Sequence, residues 1–143
     1  MITYFNEKTK FDVFIGDCIN ALFYVDSDAD PEAFIDIEYL DQMENNHAGL
    51  CTGDKDIVKI QISLNYSFDC GDKIKYCDQE TASNIAHELV HARQFIRGEM
   101  NDYDYVWKGF DYEGIEYAET PWEVEAYGME KVLVDLFWEN NDD

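Results

Sequence analysis

The chain has 143 residues, enough for one domain spanning 1–143 with a substantial core, and 46% hydrophobic with 15% aromatic residues marks it as globular rather than disordered. It carries 32 acidic residues against 10 basic ones, a net charge of −22. Such a field repels nucleic acid and anionic membrane surfaces and leaves basic or neutral partners.

No apolar run is long enough to span a bilayer. The start, MITYFNEKTKFDVF, lacks the basic-then-apolar layout of a secretory signal. Cys18, Cys51, Cys70 and Cys77 are irregularly spaced with no Cys-x-x-Cys pair, so a second, structural zinc is not expected. The expectation is reduced thiols with packing roles in a cytoplasmic protein.

In chain order, FDVFI (11–15) reads as a short strand, and GDCINALFYV after it has helix spacing at Ile15, Cys18, Ile19 and Leu22. Pro31 marks an element entry, and AFIDIEYL (33–40) alternates as a strand. MENNHAGLCTGDKD (43–56) is rich in Asn, Gly and Asp and reads as a loop. IVKIQISLN (57–65) is the clearest strand, with Val58, Ile60, Ile62 and Leu64 on one face and Lys59, Gln61 and Ser63 on the other. From Asp78 the period changes to that of a helix, with Asp78 as N-cap and Gly98 as the C′ stop. An aromatic, acidic loop (99–120) leads to a last helix, capped by Thr120 with Pro121 at N1 and Glu123 at N3 as a capping-box partner. Strands followed by helix, loop and helix indicate an α+β domain with a small mixed or antiparallel sheet.

The chemistry-bearing stretch is HELVH, residues 87–91, which uses two of the three histidines in the chain. Histidines four apart lie on one helical face about a turn apart, so both imidazoles can reach one ion. The acid between them is then placed as a general base toward water. His87 and His91 are the candidate ligands of one zinc ion and Glu88 the base. An apolar stripe of Ile85, Leu89, Ala92 and Ile96 runs down another side, and the alternative is that both histidines simply pack or face solvent.

A third ligand is needed. His47 lies in the Asn-rich loop, where a surface role is the simpler reading. The last helix has an apolar stripe of Trp122, Ala126, Met129, Leu133, Leu136 and Phe137, and Glu125 falls on it. A carboxylate on a buried face needs a partner, which an ion supplies. Glu125 is therefore the expected ligand and Glu123 the capping residue, while Glu130 lies off the stripe beside Lys131.

HELVHARQ, followed by Trp107-Lys108-Gly109 and by YAETPWEVEAY (117–127), resembles small metallopeptidases encoded by phages and other viruses. The Glu125-Ala126 pair is similar to the third-ligand helix of the ImmA/IrrE peptidase group, on the gluzincin side of the zincins. The resemblance covers about residues 78–137. It implies a minimal zincin fold, a zinc-dependent peptidase, a peptide or protein substrate, and host cytoplasm if the source is viral. It also implies that the strand before the motif helix, 57–65, pairs with extended substrate, although an internal sheet strand is the equal alternative. A further donor to the oxyanion is implied too, with Tyr117 and Tyr112 as the candidates. Two other readings share the motif: a deformylase-type hydrolase with Cys51 as third ligand, and a catalytically silent zinc module acting in protein interaction or as a virion component.

Overall fold

The computed structural model describes residues 2–24, 32–67, 71–100, 106–112 and 114–138. Pro31 and Cys70 lie outside them. The chain begins with strand β1 (Ile2–Asn6), crosses over through helix α1 (Asp12–Phe23), and returns as β2 (Ala33–Leu40), which lies parallel to β1. A parallel pair needs such a crossover, because a tight turn can only reverse the strand direction. Residues 11–15 are therefore not a strand but the start of α1. Phe14, Ile15, Cys18, Ile19, Leu22 and Phe23 are all buried on one side of it. That spacing extends back past Gly16, and a five-residue window is too short to separate it from strand alternation.

A short 3-10 turn (Glu44–Asn46) leads into β3 (Gly49–Gly53), and β4 follows at Ile57–Ser63. The four-stranded sheet has the order β1-β2-β4-β3, with β4 parallel to β2 and antiparallel to β3. The segment 43–56 thus contains a strand as well as a loop. Its glycines hide the strand, because they weaken the sequence signal for sheet. Ile35 and Ile37 of β2 and Val58, Ile60 and Ile62 of β4 form one buried face. Phe34, Asp36, Ile57 and Lys59 occupy the other. The alternation of β4 stops at its end: Ser63 is also buried, its hydroxyl donating to the His47 carbonyl at 2.6 Å. Two antiparallel hairpins complete the strands, β5 (Asn65–Ser67) with β6 (Lys73–Lys75) and β7 (Val106–Trp107) with β8 (Phe110–Asp111).

Helix α2 (Asp78–Ile96) packs against β3 and β4 on one side and against α1 and α3 (Pro121–Phe137) on the others. Enclosed in this way, it buries residues nearly all round rather than along one stripe. Its N-cap is Cys77, not Asp78. The Cys77 Sγ accepts from the Glu80 N–H, and the Glu80 carboxylate accepts from the Cys77 N–H at 2.9 Å, a complete capping box. Gly98, with φ +71°, follows the helix in the left-handed region as its composition indicates. The architecture is α+β. Among the described residues no helix is long and apolar enough to cross a membrane. Cys18 and Cys77 are free thiols, and burial, followed by the Asp17 charge, pushes the Cys18 thiol up to about 12, as befits a core residue.

Candidate metal centre

Two helices build the site. On α2, His87 and His91 are one turn apart with Glu88 beside them, and all three are buried. On α3, Pro121 sits at N1, and Glu123, only 3% exposed, projects toward the histidines from the first turn. One Glu123 oxygen lies 3.0 Å from His87 Nε2, and the other lies 3.2 Å from His91 Nε2. The two Nε2 atoms are themselves 3.2 Å apart. His87, His91 and Glu123 thus offer three ligand atoms within 4.8 Å of one another.

Glu125 is not among them. Its carboxylate accepts from the Gln94 amide at 3.1 Å and lies 3.5 Å from the Arg93 guanidinium. The capping box expected of Glu123 does not form: the Thr120 side chain accepts from no helix N–H, its hydroxyl donates to the Tyr117 carbonyl, and the Glu123 carboxylate lies against the two histidines. The buried face of α3 also differs from the expected stripe. Leu136 is 67% exposed, whereas Val134 is buried. Eleven residues make about three helical turns, so a face centred with Val134 carries Glu123 on it and leaves Glu125 at the margin. Val134 was the available signal that Glu123 rather than Glu125 faces the histidines.

The remaining ring nitrogens are also engaged. His87 Nδ1 is 2.7 Å from a Glu130 oxygen, and His91 Nδ1 is 2.7 Å from the Gln94 side-chain oxygen. Both partners are acceptors, so with the imidazoles neutral the hydrogen belongs on each Nδ1 and both Nε2 lone pairs face inward. Two lone pairs and two carboxylate oxygens converging within about one van der Waals contact repel unless a positive charge sits among them. The protonation tendencies express the same demand. Burial pulls the His87 imidazole down, but its hydrogen bonds to Glu123 and Glu130 override this and raise it to about 9. His91 is raised too, against its burial, chiefly by Glu123. Burial pushes Glu123 up, yet the two imidazoles hold its carboxyl down at about 2. A buried His, His, Glu set of this kind fits a metal ion.

An open cleft of about 490 Å³ lies before these groups. Its walls include His87, Glu88, Glu130, Asn84, His47 and the start of β3. Glu88 is not in the ligand set. Burial lifts its carboxyl to about 7, with His91 and His87 pulling back. Gly49, the first residue of β3, passes so close that a Cβ there would stand 2.8 Å from the Glu88 Cγ and Oε2. His47 reaches the cleft but not the ligand cluster.

Tyr117 and Tyr127 flank the mouth. Tyr117 is 66% exposed, while burial of the oxygen and then the nearby Glu123 charge raise the phenol strongly. The Tyr127 ring lies 4.6 Å from the His87 ring. Tyr112 instead meets Trp122 edge-on at 6.2 Å, away from the cleft lining. Cys51 sits in β3 opposite Ile60 and contributes no sulfur to the cluster. The expectation that 57–65 pairs with substrate is corrected by the topology: β4 has β2 on one side and β3 on the other, so its backbone is already used. Compared with protein-family models, with curated proteins and with solved structures, the chain matches none of them.

Proposed function

We propose that this protein is a zinc-dependent peptidase of the gluzincin type, in which His87, His91 and Glu123 hold the ion and Glu88 is the general base. The observation that carries this reading is the buried convergence of those three ligands beside a non-ligating glutamate that faces an open cleft. Two nitrogens and one oxygen suit zinc and leave a position for substrate chemistry. The ion, when bound, supplies Lewis acidity that acidifies water and polarises a carbonyl. Glu88 takes the proton from water at its carboxylate and passes it to the departing amine. Tyr117, at the mouth, donates its hydroxyl hydrogen to the oxygen on which charge develops. The edge strand β3 begins at the cleft wall and offers backbone groups to an extended peptide. The HELVHARQ and PWEVEAY stretches, which resemble small viral metallopeptidases, agree with this assignment. An acidic chain of net charge −22 favours basic or neutral peptides as substrates.

The test is zinc content by elemental analysis together with cleavage of a library of unstructured peptides. About one zinc per chain and cleavage that a chelator stops and added zinc restores is the expected result. Zinc without cleavage of any peptide would leave a metal-holding interaction module, and absence of zinc would sink the reading altogether.

The close approach of Gly49 gives a sharper expectation. In Gly49→Ala the new methyl group displaces the end of the Glu88 side chain. Cleavage should fall by up to about 10²-fold, the scale of a misplacement of about 1 Å. Zinc content and thermal unfolding should stay near wild type, because neither the ligands nor the core is touched. An equal rate would show that Glu88 need not stand where β3 holds it.

A further inference from the structure

Gln94 lies one turn beyond His91 on α2 and is fully buried. A buried amide has four hydrogen-bonding positions to satisfy, and its two ends are not interchangeable. The Gln94 Nε2 stands 3.0 Å from the Trp122 carbonyl and 3.1 Å from the Glu125 carboxylate. Both are obligate acceptors, so this end must be the NH₂. Turned the other way, the amide would set its oxygen against two acceptors at those distances inside the protein, which is costly without compensation. The Gln94 oxygen is thereby committed to the opposite side, 2.7 Å from His91 Nδ1.

We propose that Gln94 is a positioning residue for the metal centre: clamped by Glu125 and the Trp122 carbonyl, it holds His91 as the Nδ1–H tautomer so that Nε2 offers its lone pair to the ion. The proposal rests on the His87, His91, Glu123 reading of the centre. It gives Glu125 a role two hydrogen bonds removed from His91, through Gln94, and Arg93 at 3.5 Å helps hold that carboxylate in place. It also ties α3 to all three candidate ligands. The same helix supplies Glu123 directly, sets His87 through Glu130, and sets His91 through Glu125 and Gln94. Docking of α3 on α2 and metal affinity are then one event. An imidazole free to change tautomer would spend part of its time with Nε2–H facing the ligand position, and apparent affinity falls by that fraction.

The experiment has two arms. In wild-type protein freed of metal, at a pH alkaline enough to leave the imidazole neutral, long-range proton–nitrogen NMR correlations of the His91 ring read the tautomer directly. Nδ1–H is expected, and Nε2–H would overturn the proposal. In Gln94→Leu, which keeps similar bulk and loses the acceptor, zinc affinity measured by competition with a chromophoric chelator should weaken about 10- to 100-fold. The His91 signals should shift toward Nε2–H. A folded Gln94→Leu protein with unchanged tautomer and zinc affinity within about twofold of wild type would also overturn it. If Gln94→Leu does not fold, the wild-type tautomer decides alone. A wild-type protein that takes up no zinc removes the metal-centre reading, and the tautomer still reports on the Gln94 clamp separately.

Discussion

Glu123→Ala is expected to empty the metal centre, whereas Glu125→Ala is expected to keep it. Purified proteins equilibrated with zinc and desalted should show about one ion per chain for wild type and for Glu125→Ala, and below about 0.1 for Glu123→Ala. Glu123 touches both histidines at 3.0 and 3.2 Å and is the only acid in the ligand set. Its loss removes one of three anchors and the only carboxylate among them. If a complete site is worth roughly 10–16 kcal/mol, one anchor in three is worth several, or about 10³-fold in affinity. Glu125 touches no ligand, so its loss acts only through Gln94, which the Trp122 carbonyl still holds at 3.0 Å. A weakening of less than about tenfold is therefore expected there. Retention of stoichiometric zinc by Glu123→Ala, with loss in Glu125→Ala, would reverse the assignment of the two acids.

The second large effect concerns Glu88. Glu88→Gln keeps the shape of the side chain and removes its capacity to accept a proton. Because Glu88 stands outside the ligand cluster, zinc content should not change. Peptide cleavage should fall by about 10²- to 10⁴-fold in kcat, the usual worth of a positioned general base, with KM little altered. The loss should fall on the chemical step, since a glutamine against Gly49 preserves the wall of the cleft. Full activity in this variant would remove Glu88 from the reaction and shift attention to water activated by the ion alone.

The sequence was most informative where a single periodicity governed a long element. The strands at 33–40 and, within the expected 57–65, at 57–63 follow from alternation because each buries every second residue, and the helix over 78–96 follows from its helical apolar spacing although its packing buries it nearly all round. HELVH could be read for the same reason: helical geometry alone places His87 and His91 on one face. Short or glycine-containing elements were hidden. Strand β3 reads as a loop because Gly49 and Gly53 carry no side-chain signal, although Gly49 is required where β3 passes Glu88. The opening turn of α1 reads as a strand because five residues cannot distinguish the two periods.

The amino-acid sequence by itself determined the α+β class, the motif helix, the two histidines and the acid beside them, since these depend only on local spacing. It placed the candidate third ligand on the same helix but at Glu125, whereas the cluster that could hold an ion contains Glu123. The choice between Glu123 and Glu125 depends on the rotation of α3 about its own axis, and that is set by its packing on α2, with Val134 inward and Leu136 outward. Only the tertiary structure decided this, and with it the contacts of Gln94 and Glu130. These contacts join residues 31 to 43 positions apart in the chain, and no local period encodes them.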